Sequence, residues 1–160
     1  MKTFILVCLL IISFASYAKE KIDIIVIKKS ERVLYAVKND KIIKKYNIAL
    51  GRSPKGHKKK EGDKKTPEGY YFVDGKNAKS NFFLSLHTSY PNFHDKRVAA
   101  KNNVNPGEHI AIHGLPSINL LAQYLYNGAD WTDGCIALNN SDMQELWDLT
   151  EEGTQILIKP

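Results

Sequence analysis

Cysteine is almost missing from this chain, with two in 160 residues. One of them, Cys8, belongs to a short N-terminal apolar run. Lys2 precedes that run, and Ser16 and Ala18 stand where a small-residue cleavage site places its small side chains. Residues 1–18 therefore read as a secretory leader and residues 19–160 as a single domain. Without the leader, Cys135 is the only thiol, which excludes an internal disulfide. No stretch approaches the roughly 18 consecutive apolar residues of a membrane span, and the leader is too short for one. HExxH and CxxC are both lacking, so the common zinc frameworks have no counterpart here. The basic residues are not interleaved with aromatics and no nucleic-acid motif occurs, which argues against a nucleic-acid partner. There is no internal repeat.

Positive charge is in excess, with 23 Lys and Arg against 17 Asp and Glu. Much of it is concentrated in Lys58, Lys59, Lys60, Lys64 and Lys65. Two readings are open: a solvated loop, or attraction to an anionic polymer such as an envelope surface. The run lies in residues 51–69, where four glycines and two prolines sit in a polar background. A connection of that length inside a compact domain is often functional. Few apolar side chains are available to hold it, so it is expected to flank a cleft and to be mobile.

The rest alternates in ways that predict short strands. Residues 22–28 are rich in β-branched side chains. Residues 32–38 set Val33, Tyr35 and Val37 against Leu34 and Ala36, and Asn39-Asp40 predicts a two-residue turn into residues 41–50. Further strands are predicted at 70–73, 82–86, 109–113 and 155–159, with SYPN and NPGE as turn signals. Helical spacing predicts helices at 97–101 and 117–126, and capping-box spacing at Ser141 to Gln144 predicts a third through Leu149. Many strands with few helices indicate a β-rich α+β domain.

Chemistry concentrates in DWTDGCIALNN, residues 130–140. A nucleophilic thiol needs exposure, activation and a base in reach. Gly134 can turn the chain sharply before Cys135, and such a turn can aim backbone N–H groups at a developing oxyanion. His113, in IAIHGLP, is the candidate base. Gly114 frees the chain to leave the strand, and its carbonyl can accept from the imidazole and fix the tautomer. The residues alone leave open that Cys135 is a small buried core residue.

With His-Gly upstream and Gly-Cys downstream, the sequence resembles the L,D-transpeptidase catalytic domain family (YkuD-type fold). GRSPKGHKKKEGDKKTPEGYY, LSLHTSYPN and the closing GTQILIKP agree with the same family, so the resemblance runs from about Lys21 to Pro160. It looks closest to a branch with a WTxGCIA motif, typified by envelope proteins of Gram-negative bacteria. The resemblance implies a mixed, β-sandwich-like sheet with a few short helices, and the cysteine in a cleft. It implies attack on the diaminopimelate–D-alanine bond of peptidoglycan stem peptides, in the periplasm or at the cell wall, with no cofactor and no metal ion. Cys135 becomes the nucleophile, His113 the general acid/base, and Gly134 and Cys135 the source of oxyanion N–H groups. Gly114 becomes an orienting group, and Trp131, Thr132 and Asp133 become substrate contacts. Most relatives carry His in place of Asp133, and Asn or Arg in place of Ala137. Asp133 is expected either as a turn residue or as an anchor for an amine.

Three alternatives stand beside this reading. The same acyl-enzyme could be hydrolysed, which would make a carboxypeptidase, an endopeptidase or an amidase releasing a wall-attached protein. A zinc hydrolase could use His109, His113 and one of His87 or His94. A wall-binding module could keep the fold without catalysis.

Overall fold

The computed structural model describes residues 20–116 and 129–160. The leader and the helix expected at 117–126 lie outside the described residues.

The first strand, β1 (Ile24–Lys28), alternates strictly. Ile25 and Ile27 are fully buried, while Ile24, Val26 and Lys28 face outward. Antiparallel β2 (Val33–Lys38) turns through Asn39 and Asp40 into β3 (Lys41–Asn47). Both turn residues are left-handed, with φ of 48° and 60°, which is the geometry of a hairpin turn that matches strand twist. Here the expectation from Asn-Asp holds.

The fourth strand, β4 (Gly69–Ser80), is much longer than the short apolar run predicted. Its second half, DGKNAKS, lacks apolar alternation and is held by pairing with β5 (Phe83–Thr88). The first half pairs instead with β8 (Gln155–Lys159), and the register shifts between Val73 and Gly75. One strand thus serves two parts of the sheet, with the irregularity where it passes from one to the other.

Short strands β6 (Ala111–His113) and β7 (Ile136–Ala137) complete an eight-stranded mixed sheet in the order β3-β2-β1-β8-β4-β5-β6-β7. The β1–β8 and β6–β7 pairs are parallel. The sheet curls until its ends meet. Ala49, just beyond β3, exchanges two backbone hydrogen bonds of 2.9 Å with Ala137.

Two helices lie among the described residues. The first, α1 (Phe93–Lys101), starts four residues before the predicted helix, because Asn92 and Asp95 cap each other's backbone N–H. The second, α2 (Asn140–Leu149), is capped by Asn139, whose side chain accepts from Asp142 N–H at 2.8 Å. The predicted cap at Ser141 is therefore two residues late. An Asn at the earlier position satisfies the same free N–H groups. Met143, Leu146 and Leu149 of α2 join Ile25, Ile27, Leu86, Ile112, Ile136 and Ile156 in one core. The class is the expected one, a β-rich mixed fold with short helices.

Candidate active site

The parallel register sets Ile112 opposite Ile136 and His113 opposite Ala137. Both isoleucines are fully buried in the core. Alternation along each strand then sends His113 and Cys135 to the opposite face. The two line one cleft of about 840 Å³, together with Arg52, Phe82, Ser85, His87, Trp131 and Asp133.

His113 is held on three sides. Nδ1 lies 2.7 Å from the Gly114 carbonyl. A carbonyl only accepts, so Nδ1 carries the proton and Nε2 keeps its lone pair. The Phe82 ring tilts over the imidazole at 4.5 Å between centroids, and the Trp131 ring meets it edge-on at 5.6 Å. Burial lowers the imidazole pKa below its ordinary value, and the Gly114 bond offsets part of that. Gly114 could not be another residue: a Cβ there would sit 2.6 Å from the Asn140 side-chain oxygen and 3.0 Å from the Phe82 carbonyl.

Cys135 is partly exposed, and its thiol donates to the His109 carbonyl at 3.6 Å. The Ala111 N–H also interacts with the sulfur. His109 itself takes a left-handed backbone angle, φ 61°, unusual outside glycine, which turns the chain into β6. Burial raises the thiol pKa and Asp133 raises it further, while the Ala111 bond and the charge of Lys58 pull it down. Thiol and imidazole are thus both shifted toward their neutral forms. A pair of this kind moves a proton only when a reaction demands it.

The turn before Cys135 is stapled by Thr132, a buried residue. Its hydroxyl accepts from Gly134 N–H at 3.1 Å and donates to the Cys135 carbonyl at 2.7 Å. The Gly134 N–H is therefore used inside the turn, whereas the sequence suggested it for the oxyanion. Gly134 serves by its conformation, φ 134°, and by its lack of a side chain: a Cβ would lie 2.7 Å from the Lys65 carbonyl.

Asp133 is exposed, and its carboxylate lies 3.5 Å from the Arg52 guanidinium. Ala137 is buried where Ala49 crosses it. The crossing is made by backbone bonds, and Ala137 also lines a neighbouring cavity of about 500 Å³ with Ile48, Ala49 and Leu138.

Residues 51–69 differ from the expected loosely held loop. Lys58 is only 4% exposed, and its ammonium bonds Asp63 at 3.0 Å and the Lys60 carbonyl at 3.1 Å. Asp63 also accepts from the backbone N–H of Lys59, Lys60 and Lys65. Lys29 is buried as well. It donates to the Gly56 and Thr66 carbonyls and to Glu68 at 2.7, 2.9 and 2.8 Å. The segment is pinned by buried polar bonds where apolar contacts are few.

His109 and His113 both line the cleft, but the His109 ring is exposed beside Glu108, whereas His113 is buried. Among the described residues no group of three His, Cys, Asp or Glu side chains could hold a metal ion.

Several cleft residues carry no role in the sequence reading, or, for His87, only that of a candidate zinc ligand. Phe82 shows in the sequence only as part of a strand. Ser85 and His87 had a signal, since they alternate with buried Leu84 and Leu86 in β5. Arg32 and Asp130 form a forked pair of 2.7–3.0 Å across the chain, and Asp130 also accepts from Leu50 N–H at 2.9 Å. That pair anchors the start of the cysteine segment.

Fold and cleft together describe a sheet-rich domain that presents a thiol and an imidazole on neighbouring strands. The family model described as "L,D-transpeptidase catalytic domain" (YkuD) matches residues 22–158, and the chain belongs to that family. Among solved structures it is similar to the helical cell shape determining protein Pgp2 from Campylobacter jejuni, at 27% identity and TM-score 0.63 over 89% of this chain and 49% of that one. It is also similar to Bd1075 from Bdellovibrio bacteriovorus, at 26% identity and TM-score 0.58 over 91% of this chain and 50% of that one. An L,D-transpeptidase from Xylanimonas cellulosilytica shares the fold at 17% identity and TM-score 0.56, over 88% of this chain and 61% of that one. The chain thus spans about half the length of the first two. A search of curated proteins finds no match. No helix among the described residues is long and apolar enough to cross a membrane.

Proposed function

We propose that this chain is a peptidoglycan acyltransferase of the L,D-transpeptidase kind, working through a thioester on Cys135. The observation that carries the reading is that Cys135 and His113 line one cleft, in a chain of that family. The His113 Nε2 takes the thiol proton as sulfur attacks the carbonyl carbon of the diaminopimelate–D-alanine amide. The C=O electron pair moves onto oxygen, where the Cys135 N–H meets it. Collapse expels the D-alanine nitrogen, which takes its proton from the imidazolium. An amine of a second stem, or water, then gives its proton to His113 and attacks the thioester; the C–S bond breaks and the Cys135 sulfur takes the proton back from the imidazolium.

Transfer to an amine is the first reading. Hydrolysis has one feature in its favour: position 137 is alanine, so the polar side chain expected there from the family resemblance is lacking for holding an acceptor. The leader read at residues 1–18 would deliver the protein to the periplasm, where this substrate lies. Similarity to a cell shape determining protein supports a role in wall remodelling that sets cell form. A wall-attached protein is the further substrate or acceptor this chemistry admits.

The test is incubation of the purified protein with tetrapeptide muropeptides and mass analysis of every product. D-alanine release with crosslinked dimers supports transfer, and trimmed stems alone support hydrolysis. An adduct on Cys135 is expected, as is loss of turnover in Cys135→Ala. Substantial activity in that variant would end the cysteine mechanism.

A further inference from the structure

The cleft carries a feature that the thioester chemistry does not use. Arg52 lies on its rim and belongs to the same lining as Cys135 and His113. Its backbone is fixed, because Arg52 N–H donates to the Thr132 carbonyl at 3.0 Å where residues 51 and 132 bridge. Its side chain is steered too, since Nε donates to the Trp131 carbonyl at 3.0 Å. That leaves the two Nη nitrogens of a residue that lines the cleft. One, Nη1, lies 3.5 Å from Asp133, longer than the 2.7–2.9 Å or so of a full charge-assisted bond. Both side chains are more than half exposed. Arg32 makes the contrast: its nitrogens are taken up by the Asp130 carboxylate and the Lys29 carbonyl.

A planar fork, held at its base and open at its tip, is suited to bidentate capture of a carboxylate. The loose Asp133 contact keeps the long side chain over the cleft before substrate arrives, which reduces the ordering cost on binding. We propose that Arg52 binds a carboxylate of the stem peptide, with Asp133 holding its guanidinium in position. This rests on the function proposed above. Of the carboxylates a stem offers, the two nearest the scissile bond are the candidates: the C-terminus of the leaving D-alanine and the side chain of diaminopimelate. Lys79 also lines the cleft, but as a point charge on a flexible stem it is the weaker candidate.

Three tetrapeptide stems separate these cases: the free acid, the C-terminal D-alaninamide, and the diaminopimelate side-chain amide. Release of D-alanine or D-alaninamide gives kcat and KM for each, in the parent protein and in Arg52→Gln, Arg52→Lys and Lys79→Gln. The parent should favour the free acid over one of the two amides by about tenfold in kcat/KM, equivalent to about 1.4 kcal/mol. Sensitivity to the C-terminal amide identifies the leaving carboxylate, and sensitivity to the side-chain amide identifies diaminopimelate. Arg52→Gln should bring that ratio close to one, mainly through KM, and Arg52→Lys should recover part of it. Alkylation of Cys135 at the parent rate in Arg52→Gln shows that the cleft is intact. The proposal is overturned if the parent does not discriminate, if Arg52→Gln lowers all three substrates equally, or if Lys79→Gln abolishes the ratio instead. Activity retained in Cys135→Ala is a different result, and would remove the thioester reading itself.

Discussion

The thiol of Cys135 donates to the His109 carbonyl, in surroundings that disfavour its charge more than they favour it. His113 is buried among aromatic rings and disfavours its own charge. The resting pair is accordingly thiol and neutral imidazole, unlike a thiolate–imidazolium site. This has a measurable consequence on each side of neutrality. Iodoacetamide should modify Cys135 slowly at pH 7, and the rate should climb beyond the ordinary thiol pKa of about 8.5. A rate already at its plateau by pH 7 would show a preformed thiolate. On the acid side, a lowered imidazole pKa means that His113 stays a base to lower pH than an exposed histidine. The acid limb of kcat/KM should therefore have its midpoint below about 6.5. A midpoint above that value would show that the imidazolium is stabilised by a group absent from this geometry.

At the scale of elements, the cysteine turn depends on local bonds more than on packing. The Thr132 hydroxyl bridges Gly134 N–H and the Cys135 carbonyl, and it is buried. Thr132→Val keeps the shape but leaves both groups unpartnered, which should cost about 1–3 kcal/mol of folding stability. The loss of turnover should exceed what that destabilisation explains, because the same bonds set the direction of the thiol. Thr132→Ser should restore most of both. Urea unfolding and trapping of Cys135 with an electrophile measure the two effects on one sample. A tolerated Thr132→Val with a damaged Thr132→Ser would mean that the methyl group holds the turn, and that the hydroxyl does not.

For the whole molecule, residues 51–69 couple distant parts of the chain to Cys135. Lys29, next to β1, holds the segment through Gly56, Thr66 and Glu68. Thr66 accepts from Gly51 N–H at 3.1 Å, and the Lys65 carbonyl packs against Gly134. Lys29 itself does not line the cleft. Lys29→Met should still cost about 3 kcal/mol, because Glu68 and two carbonyls lose a buried donor. It should also lower Cys135 acylation, through displacement of the Gly51 and Gly134 backbones. Thermal unfolding followed by muropeptide turnover well below the transition separates the two. Unchanged acylation in a destabilised variant would show that the segment supports the fold alone.

Some of this was settled by neighbours along the chain. Alternation in β1, β2 and β8 reported their buried faces because a strand's pleat imposes a two-residue period whatever packs against it. Asn39-Asp40 predicted its turn because left-handed backbone is a property of the residues that occupy it. His113-Gly114 predicted the orienting bond because that bond joins adjacent residues. Tertiary structure decided what no local rule encodes. A lysine run reads as solvated from its charge, yet Lys58 is buried because Asp63 returns to meet it. The Arg32–Asp130 pair is 98 positions apart, and Phe82 reaches His113 only through the hairpin that β4 and β5 build. The residue types for the chemistry are written locally, since a turn and a strand end can be read from a few neighbours. The shape that brings thiol, imidazole and guanidinium into one cleft follows from sheet closure, in which every contact depends on strands distant in sequence.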